Sequence, residues 1–471
     1  MKLENYKNIH FIGIGGSGMS GIAYIFKQLG YSVSGSDIGS VYKLKKLKKI
    51  GITVYSRHDA KHINFTHLVV ISSAIPEDNV ELRQAILLGV KVISRGEMLA
   101  CLMNFYRTKI AIAGSHGKTT VTSILCHILI KNFKDPTYVI GGEIKLLGNI
   151  SSSLGKDDCI IVEADESDAS FLKLDPNISV ITNIDFDHMA TYDHNMNKLK
   201  SSFIDFGNLT ISKNKGLVVL CEDDLKCTSI KDDIQGNICT YGFRDDCNYQ
   251  ISNYSTSASG SHFQINILRD DGNIEKYTCI TPMFGVHNAQ NTVAAFVVAH
   301  RLGINVSGIL NALKDFPGAI RRFNIYNQSF FNGNNVVVID DYGHHPNEIK
   351  VTLETIKDVY PTRRIVHCFQ PHRYSRTRDL FNDIVNILSL SDIVILLDTY
   401  SAGDNFILGA TSDDLSSNLK VLGVLQYRVK GVDGLISKLY ELIRCNDVVL
   451  IQGAGDISET MGKLTEKPVI S

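Results

Sequence analysis

The chain has 471 residues, with 48 Lys and Arg against 49 Asp and Glu and a formal net charge of −1. That length exceeds what one hydrophobic core organises and points to about three domains, while the charge balance lacks the basic excess that nucleic acids or anionic membranes select. Ten scattered cysteines without a CxxC pair suit a reducing cytosol, and with no signal-like start and no long apolar run the expectation is a cytoplasmic protein with neither a membrane nor a nucleic-acid partner.

In chain order, the apolar run from Ile9 to Ile14 breaks into glycines and gives way to helical spacing over Met19 to Leu29, which reads as strand, turn, helix. Strands at Tyr31 to Gly35, Leu68 to Ser72 and Val90 to Ile93 alternate with helical stretches, as in parallel α/β units. A second section opens with a strand at Thr108 to Ala113, a glycine loop and a helix from Lys118 to Lys131. Strands follow at Cys159 to Glu163, Ser179 to Asn183 and Leu217 to Leu220, then an alternating, glycine-marked stretch from Cys239 to Thr281 that predicts a small antiparallel patch, then a helix over Asn288 to Leu302. The third section carries strands at Val336 to Asp340, Ile365 to Phe369, Ile393 to Leu397 and Val448 to Gln452. The fold class is therefore α/β throughout, in three sections: 1–107, 108–322 and 323–471.

Two glycine-rich loops demand a common explanation. "GIGGSGM" contains Gly13, Gly15, Gly16, Ser17, Gly18 and Met19, with Asp37 at the end of the next strand, the arrangement that lets a backbone approach a nucleotide diphosphate while an acid meets a ribose. A dinucleotide, another nucleotide and a purely structural turn all remain open for it. "GSHGKTT" departs from a strict P-loop because Ile112 stands where glycine is usual, yet Gly114, Ser115, His116, Gly117, Lys118, Thr119 and Thr120 still supply amides, a cation and hydroxyls for a triphosphate with Mg²⁺. "EADESD" (Glu163, Asp165, Glu166, Asp168) and "NIDFDH" (Asp185, Asp187, His188) each follow a strand, where metal ligands beside such a loop would sit. Helix capping explains "HNAQN" (His287, Asn288, Asn291) as well as an adenine edge does. Arg321 and Arg322 follow, then "DDYGHH" (Asp340, Asp341, Tyr342, His344, His345) and "QPHRYSR" (Gln370, His372, Arg373, Arg376), whose cations and imidazoles suit a carboxylate or phosphate.

The order of these blocks resembles the Mur ligases over nearly the whole chain, down to "SSAI" at Ser72 to Ile75 and "GAGD" at Gly453 to Asp456, and most of all the branch that adds L-alanine to UDP-N-acetylmuramate. That resemblance implies a Rossmann-like domain for the UDP sugar, a central P-loop ATPase and a Rossmann-like C-terminal domain, with ATP and Mg²⁺ as cofactors. The sugar would lie on the first loop with Ser73 nearby, and the ATP on the second, together with His287, Asn288, Asn291, Arg322 and Asp340. Thr119, Glu163 and His188 would hold metal; Tyr342, His344, His372, Arg373 and Arg376 would line the amino-acid site; Lys118, Arg322 and His344 would be catalytic. Ser115 and Asp404 replace the family's usual Thr and Glu, and Lys198 and Lys200 are not assigned a carbamylation. A monomer or a homodimer is compatible with the sequence. Rival readings are a nicotinamide-dependent dehydrogenase, which leaves the second loop idle, a non-catalytic nucleotide sensor, which leaves the His and Arg cluster idle, and a recycling ligase that joins the same sugar to an intact peptide.

Overall fold

The computed structural model describes every residue except 1–2, 40, 145–149, 188, 213–215, 258, 270, 319–320, 327–334 and 467–471. Among the described residues the strands form three sheets. The first contains β1 (Asn8–Ile12), β2 (Ser32–Ser36), β3 (Thr53–Tyr55), β4 (Leu68–Ile71) and β5 (Lys91–Ser94), in the order β3-β2-β1-β4-β5 and parallel throughout. Because β1 lies between β2 and β4, the chain turns in opposite directions from it, and its carboxyl end is a topological switch point.

The second sheet holds β6 (Thr108–Ala113), β7 (Thr137–Ile144), β8 (Ile150–Ser153), β9 (Cys159–Glu163), β10 (Ile178–Ile181), β11 (Leu217–Cys221), β12 (Ile238–Gly242), β13 (Tyr249–Ser257), β14 (Gly260–Leu268) and β15 (Ile274–Thr281). Its order is β15-β14-β13-β12-β11-β10-β6-β9-β7-β8. Here β6 is the strand flanked on both sides, by β10 and β9. The stretch expected as a small antiparallel patch adjoins this sheet, where Tyr241 and Gly242 of β12 pair in parallel with Tyr249 and Gln250 of β13. The third sheet consists of β16 (Asn324–Tyr326), β17 (Val337–Asp341), β18 (Ile365–Phe369), β19 (Ile393–Leu396), β20 (Leu425–Arg428) and β21 (Val448–Gln452), ordered β16-β17-β21-β18-β19-β20. Only its edge strand β16 runs antiparallel to its neighbour.

The chain separates into two compact units: Met1–Tyr254 with His262–Pro282 and Asn288–Ala319, and Ser255–Ser261 with Met283–His287 and Ile320–Ser471. Residue 107 marks a change of sheet inside the first unit. One buried apolar cluster runs through both of its sheets, from Phe11, Ile22 and Phe26 to Val139, Val162 and Phe171, and burial of that surface joins them. In the second unit, Ile339, Phe369 and Leu450 face one cluster, while Val338, Cys368 and Ile451 face another. That alternation gives its strands two buried faces and explains their unbroken apolar runs. No described helix is long and apolar enough to cross a membrane.

Candidate active site

The two glycine loops are built alike. β1 ends at Ile12 and the helix Ser17–Gln28 begins at Gly16, while β6 ends at Ala113 and the helix Lys118–Lys131 begins at Gly117; neither N-cap has a side chain to satisfy the first-turn amides. Such helix ends attract anions through their exposed N–H groups and the helix dipole. In the first loop, the amides of Gly13 and Ile14 donate to the Ser36 carbonyl at 2.8 and 3.1 Å. Asp37, read from the sequence as a ribose acid, accepts from the Gly15 amide at 2.7 Å and the Gly39 amide at 2.6 Å, so in this structure it braces the loop itself. Met19 is buried in the core and Ser73 lies exposed in the turn after β4.

In the second loop Gly117 adopts φ +85°, and a Cβ there would stand 2.5 Å from Asn291 Oδ1. The amide of Asn291 is thus packed on the second glycine loop, with its Nδ2 3.4 Å from Asn288 Oδ1. Lys118 Nζ donates to the carbonyls of Gly114 (2.6 Å) and Ser115 (3.3 Å) and to both carboxylate oxygens of Glu166 (3.0 and 2.8 Å). Burial works against the Lys118 charge, but Glu166 and Asp165 outweigh it and raise its pKa. Burial pushes Glu166 up to about 7 although Lys118 opposes the shift. Ser115 and His116 are tied to the end of β10: the Ser115 amide donates to the Asn183 carbonyl at 3.1 Å, the His116 amide to Asn183 Oδ1 at 2.8 Å, and Ser115 Oγ accepts from the Asp185 amide at 2.7 Å.

Glu163 ends β9 in register with Ile112 of β6, on the strand beside the one that feeds the loop. With the Thr119 hydroxyl at the start of the helix, this is an all-oxygen donor pair, the chemistry that Mg²⁺ prefers. His188, the other expected metal ligand, lies outside the described residues.

Within the second unit, Asp341 organises the turn that follows β17. Its Oδ1 accepts from the Gly343 amide (3.0 Å), Thr352 Oγ1 (3.2 Å) and Gln452 Nε2 (2.9 Å), and its Oδ2 from the Phe323 amide (3.2 Å). Asp340 is buried and accepts from Arg321 Nε at 3.0 Å. The Arg322 guanidinium lies 5.1 Å from the Tyr342 ring centroid, with Nη1 3.5 Å from Glu348 Oε1. The His344 ring is 5.5 Å from those of Tyr342 and His372, and His372 stacks on Tyr400 at 5.5 Å and 11°. Arg376 Nη1 reaches His372 Nδ1 at 3.3 Å. Arg373 has φ +70° and its Nη1 is 3.7 Å from Asp404 Oδ1. Tyr342, His344, His372 and Arg376 thus converge, and Arg373 lies alongside with its charge matched by Asp404. His287 is partly buried and held well below the ordinary imidazole range, at about 4, by desolvation that Asp341 only partly offsets.

Sequence reasoning missed Arg95. This side chain lies over the first loop, its Nη1 3.1 Å from where a Cβ on Gly18 would stand, and its Nη2 donates to Asp165 (2.8 Å), Asp168 (3.2 Å) and Ser170 Oγ (3.2 Å). It therefore ties the first glycine loop to the acidic segment behind the second. Its only sequence signal was a lone Arg directly after the strand run "KVIS".

Two glycine loops that run into uncapped helix starts, an acidic strand end, and a cluster of imidazoles and guanidinium groups on a further sheet are the features of an enzyme that handles anionic ligands. Family models match in succession: the Mur ligase family catalytic domain over residues 8–107, the Mur ligase middle domain over 112–299 and the Mur ligase glutamate ligase domain over 321–455. The chain belongs to the Mur ligase family. It is 43% identical over 459 residues to the UDP-N-acetylmuramate–L-alanine ligase of Nitrosospira multiformis, covering 96% of this chain and 92% of the relative. It is 44% identical over 456 residues to the ligase of the same name from Vesicomyosocius okutanii, covering 96% and 95%. Among solved structures, the UDP-N-acetylmuramate-alanine ligase of Thermotoga maritima superposes with a TM-score of 0.79 at 29% identity, covering 98% of this chain and 99% of that one. A murein peptide ligase from Psychrobacter arcticus shares the fold at 21% identity and a TM-score of 0.71, covering 98% and 100%.

Proposed function

We propose that this protein is an ATP-dependent amide ligase that joins L-alanine to the lactyl carboxylate of UDP-N-acetylmuramate, in the cytoplasmic synthesis of peptidoglycan precursors. The observation that carries this reading is the near full-length kinship with ligases named for that reaction, at 43% identity. The twin uncapped helix starts at Gly16 and Gly117 support it, because such a reaction must hold two polyphosphates at once.

In this reading Gly13, Gly15, Gly16, Ser17, Gly18 and Met19, with Asp37 and Ser73, belong to the UDP-sugar site. Gly114 to Thr120 cradle ATP, with His287, Asn288, Asn291 and Asp340 on its nucleoside side. Thr119, Glu163 and His188 would hold Mg²⁺, which when bound neutralises charge on the phosphates. Lys118 exchanges its hold on Glu166 for phosphate oxygens, and Arg322 supplies a second cation as charge moves.

A carboxylate is a poor electrophile, so the lactyl oxygen first takes the terminal phosphoryl group, giving an acyl phosphate and ADP. The neutral amine of L-alanine then attacks the acyl carbon. The C–O bond to phosphate breaks, and inorganic phosphate leaves carrying one former carboxylate oxygen. His344, His372, Arg373 and Arg376 orient the amino acid, and Tyr342 limits its side chain. Positioning and charge neutralisation drive the reaction without a covalent enzyme intermediate. The domain limits we assign to these tasks are 1–107, 108–322 and 323–471.

The test is phosphate release from ATP and Mg²⁺ with UDP-N-acetylmuramate, comparing L-alanine, glycine, L-serine and the tripeptide L-Ala-γ-D-Glu-meso-diaminopimelate. Release that requires both the sugar and L-alanine is the predicted outcome. Turnover only with the tripeptide assigns the recycling reaction instead, and release without dependence on the sugar contradicts the proposal.

A further inference from the structure

Beneath the first glycine loop lies a polar cluster that the ligase chemistry does not use. Glu81, in the first turn of the helix Val80–Leu87, is fully buried. Its Oε2 accepts from Ser36 Oγ and lies 3.0 Å from His58 Nδ1. Its Oε1 lies 2.6 Å from His62 Nδ1 and 3.5 Å from His10 Nε2. His10 is fully buried on β1; its Nδ1 is engaged by Ser34 Oγ at 2.8 Å, yet its Nε2 finds no hydrogen-bond partner and points at the carboxylate. His62 is fixed by stacking on Tyr55, with centroids 3.6 Å apart at 10°.

A buried imidazole nitrogen facing a carboxylate oxygen needs either the ring's own N–H or a metal ion between them, and at 3.5 Å the spacing is long for the N–H and suits an ion. The ligand atoms of His10, His62 and Glu81 all lie within 4.8 Å of one another. Tetrahedral zinc, with bonds of about 2.0–2.1 Å, separates its ligands by about 3.3 Å; the 3.5 Å from His10 Nε2 to Glu81 already matches, and the His62 contact must open slightly. Ser34 on His10, and Ser36 and His58 on Glu81, are the outer partners that orient such ligands. His58 and His62 keep 18% and 12% of their side chains exposed, which leaves a way in.

We propose that His10, His62 and Glu81 form a transition-metal site of the Zn²⁺ class, separate from the Mg²⁺ donors of the ATP loop. Because the Ser36 carbonyl receives the Gly13 and Ile14 amides, an ion here buttresses the first cradle without taking part in the reaction.

The experiment uses the full chain carrying Cys445→Ser, since Cys445 is the exposed thiol among the described cysteines. After chelation and dialysis, the protein is titrated with Co²⁺ and with Zn²⁺ in excess Mg²⁺. The proposal predicts one Co²⁺ per chain, with visible ligand-field bands and no thiolate charge-transfer band, and a melting temperature raised by Zn²⁺. His62→Gln and Glu81→Gln weaken Co²⁺ binding about tenfold or more, while His62→Asp, which keeps a donor, restores part of it. His62 lies at the rim, so His62→Gln serves should Glu81→Gln fail to fold. Binding by none of these proteins, or equal binding by the parent and His62→Gln, overturns the proposal; either result leaves the ligase reading untouched, because phosphate release is measured separately.

Discussion

Held between the carbonyls of Gly114 and Ser115 and the carboxylate of Glu166, the Lys118 ammonium is aimed before any phosphate arrives. Preorganised cations of this kind act on charge that develops in a transition state, and removing one costs on the order of 10²–10³-fold in rate. Lys118→Ala is therefore predicted to lower kcat by that order with the circular dichroism spectrum unchanged. Lys118→Arg should fail to rescue it, because a planar guanidinium cannot replace a compact ammonium seated 2.6 Å from a carbonyl. Steady-state phosphate release checks both variants, and an active Arg variant would show that Lys118 is only a diffuse charge. The motif made Lys118 legible in the sequence. Its partner Glu166 was visible as an acid but not as the residue that holds the lysine, because that pairing spans a change of strand.

At the scale of elements, β18 carries a sign-defined pH effect. His367 is fully buried between Ser391 Oγ (3.1 Å) and Gln452 Oε1 (3.0 Å), and burial drives its pKa down to about 3. The folded value lies below the ordinary 6.5, so the unfolded chain binds the extra proton first. The resulting stability is complete above pH 6.5 and is lost as pH falls towards 3. Between pH 7 and pH 5 this amounts to about 2 kcal/mol. His367→Gln should flatten that part of the acid limb in urea unfolding at the two pH values, and an unchanged slope would contradict the assignment. β18 and β21 were legible to the residue, because both faces are buried and their apolar runs are unbroken. β7, "TYVIGGEI", and the short polar β20, "LQYR", were not, since glycines interrupt one and polar side chains the other. The continuation of the second sheet into β13 rests on tertiary pairing that no local pattern reports.

For the whole molecule, the sequence shows two cradles on separate sheets but not what links them. Arg95 does so within the first unit, reaching from beside Gly18 to Asp165 and Asp168, some seventy residues further along the chain. Arg95→Ala is predicted to cost about 2 kcal/mol, the scale of hydrogen bonds to charged groups, read as a lower urea midpoint at constant m value. It should also raise KM for the UDP sugar and for ATP together, and a change in only one would show that the loops are independent. The motif blocks were legible because each loop is continuous in sequence, whereas Arg95, His10 and Glu81 acquire meaning only when distant strands meet.

Activation of the sugar's carboxylate as an acyl phosphate leaves its mark in oxygen transfer. UDP-N-acetylmuramate labelled with ¹⁸O in its lactyl carboxylate is turned over with ATP, Mg²⁺ and L-alanine, and the released phosphate is analysed by mass spectrometry. One labelled oxygen per phosphate formed is the expected result, with ADP as the other product. Label in AMP, or unlabelled phosphate alongside amide formation, would contradict it.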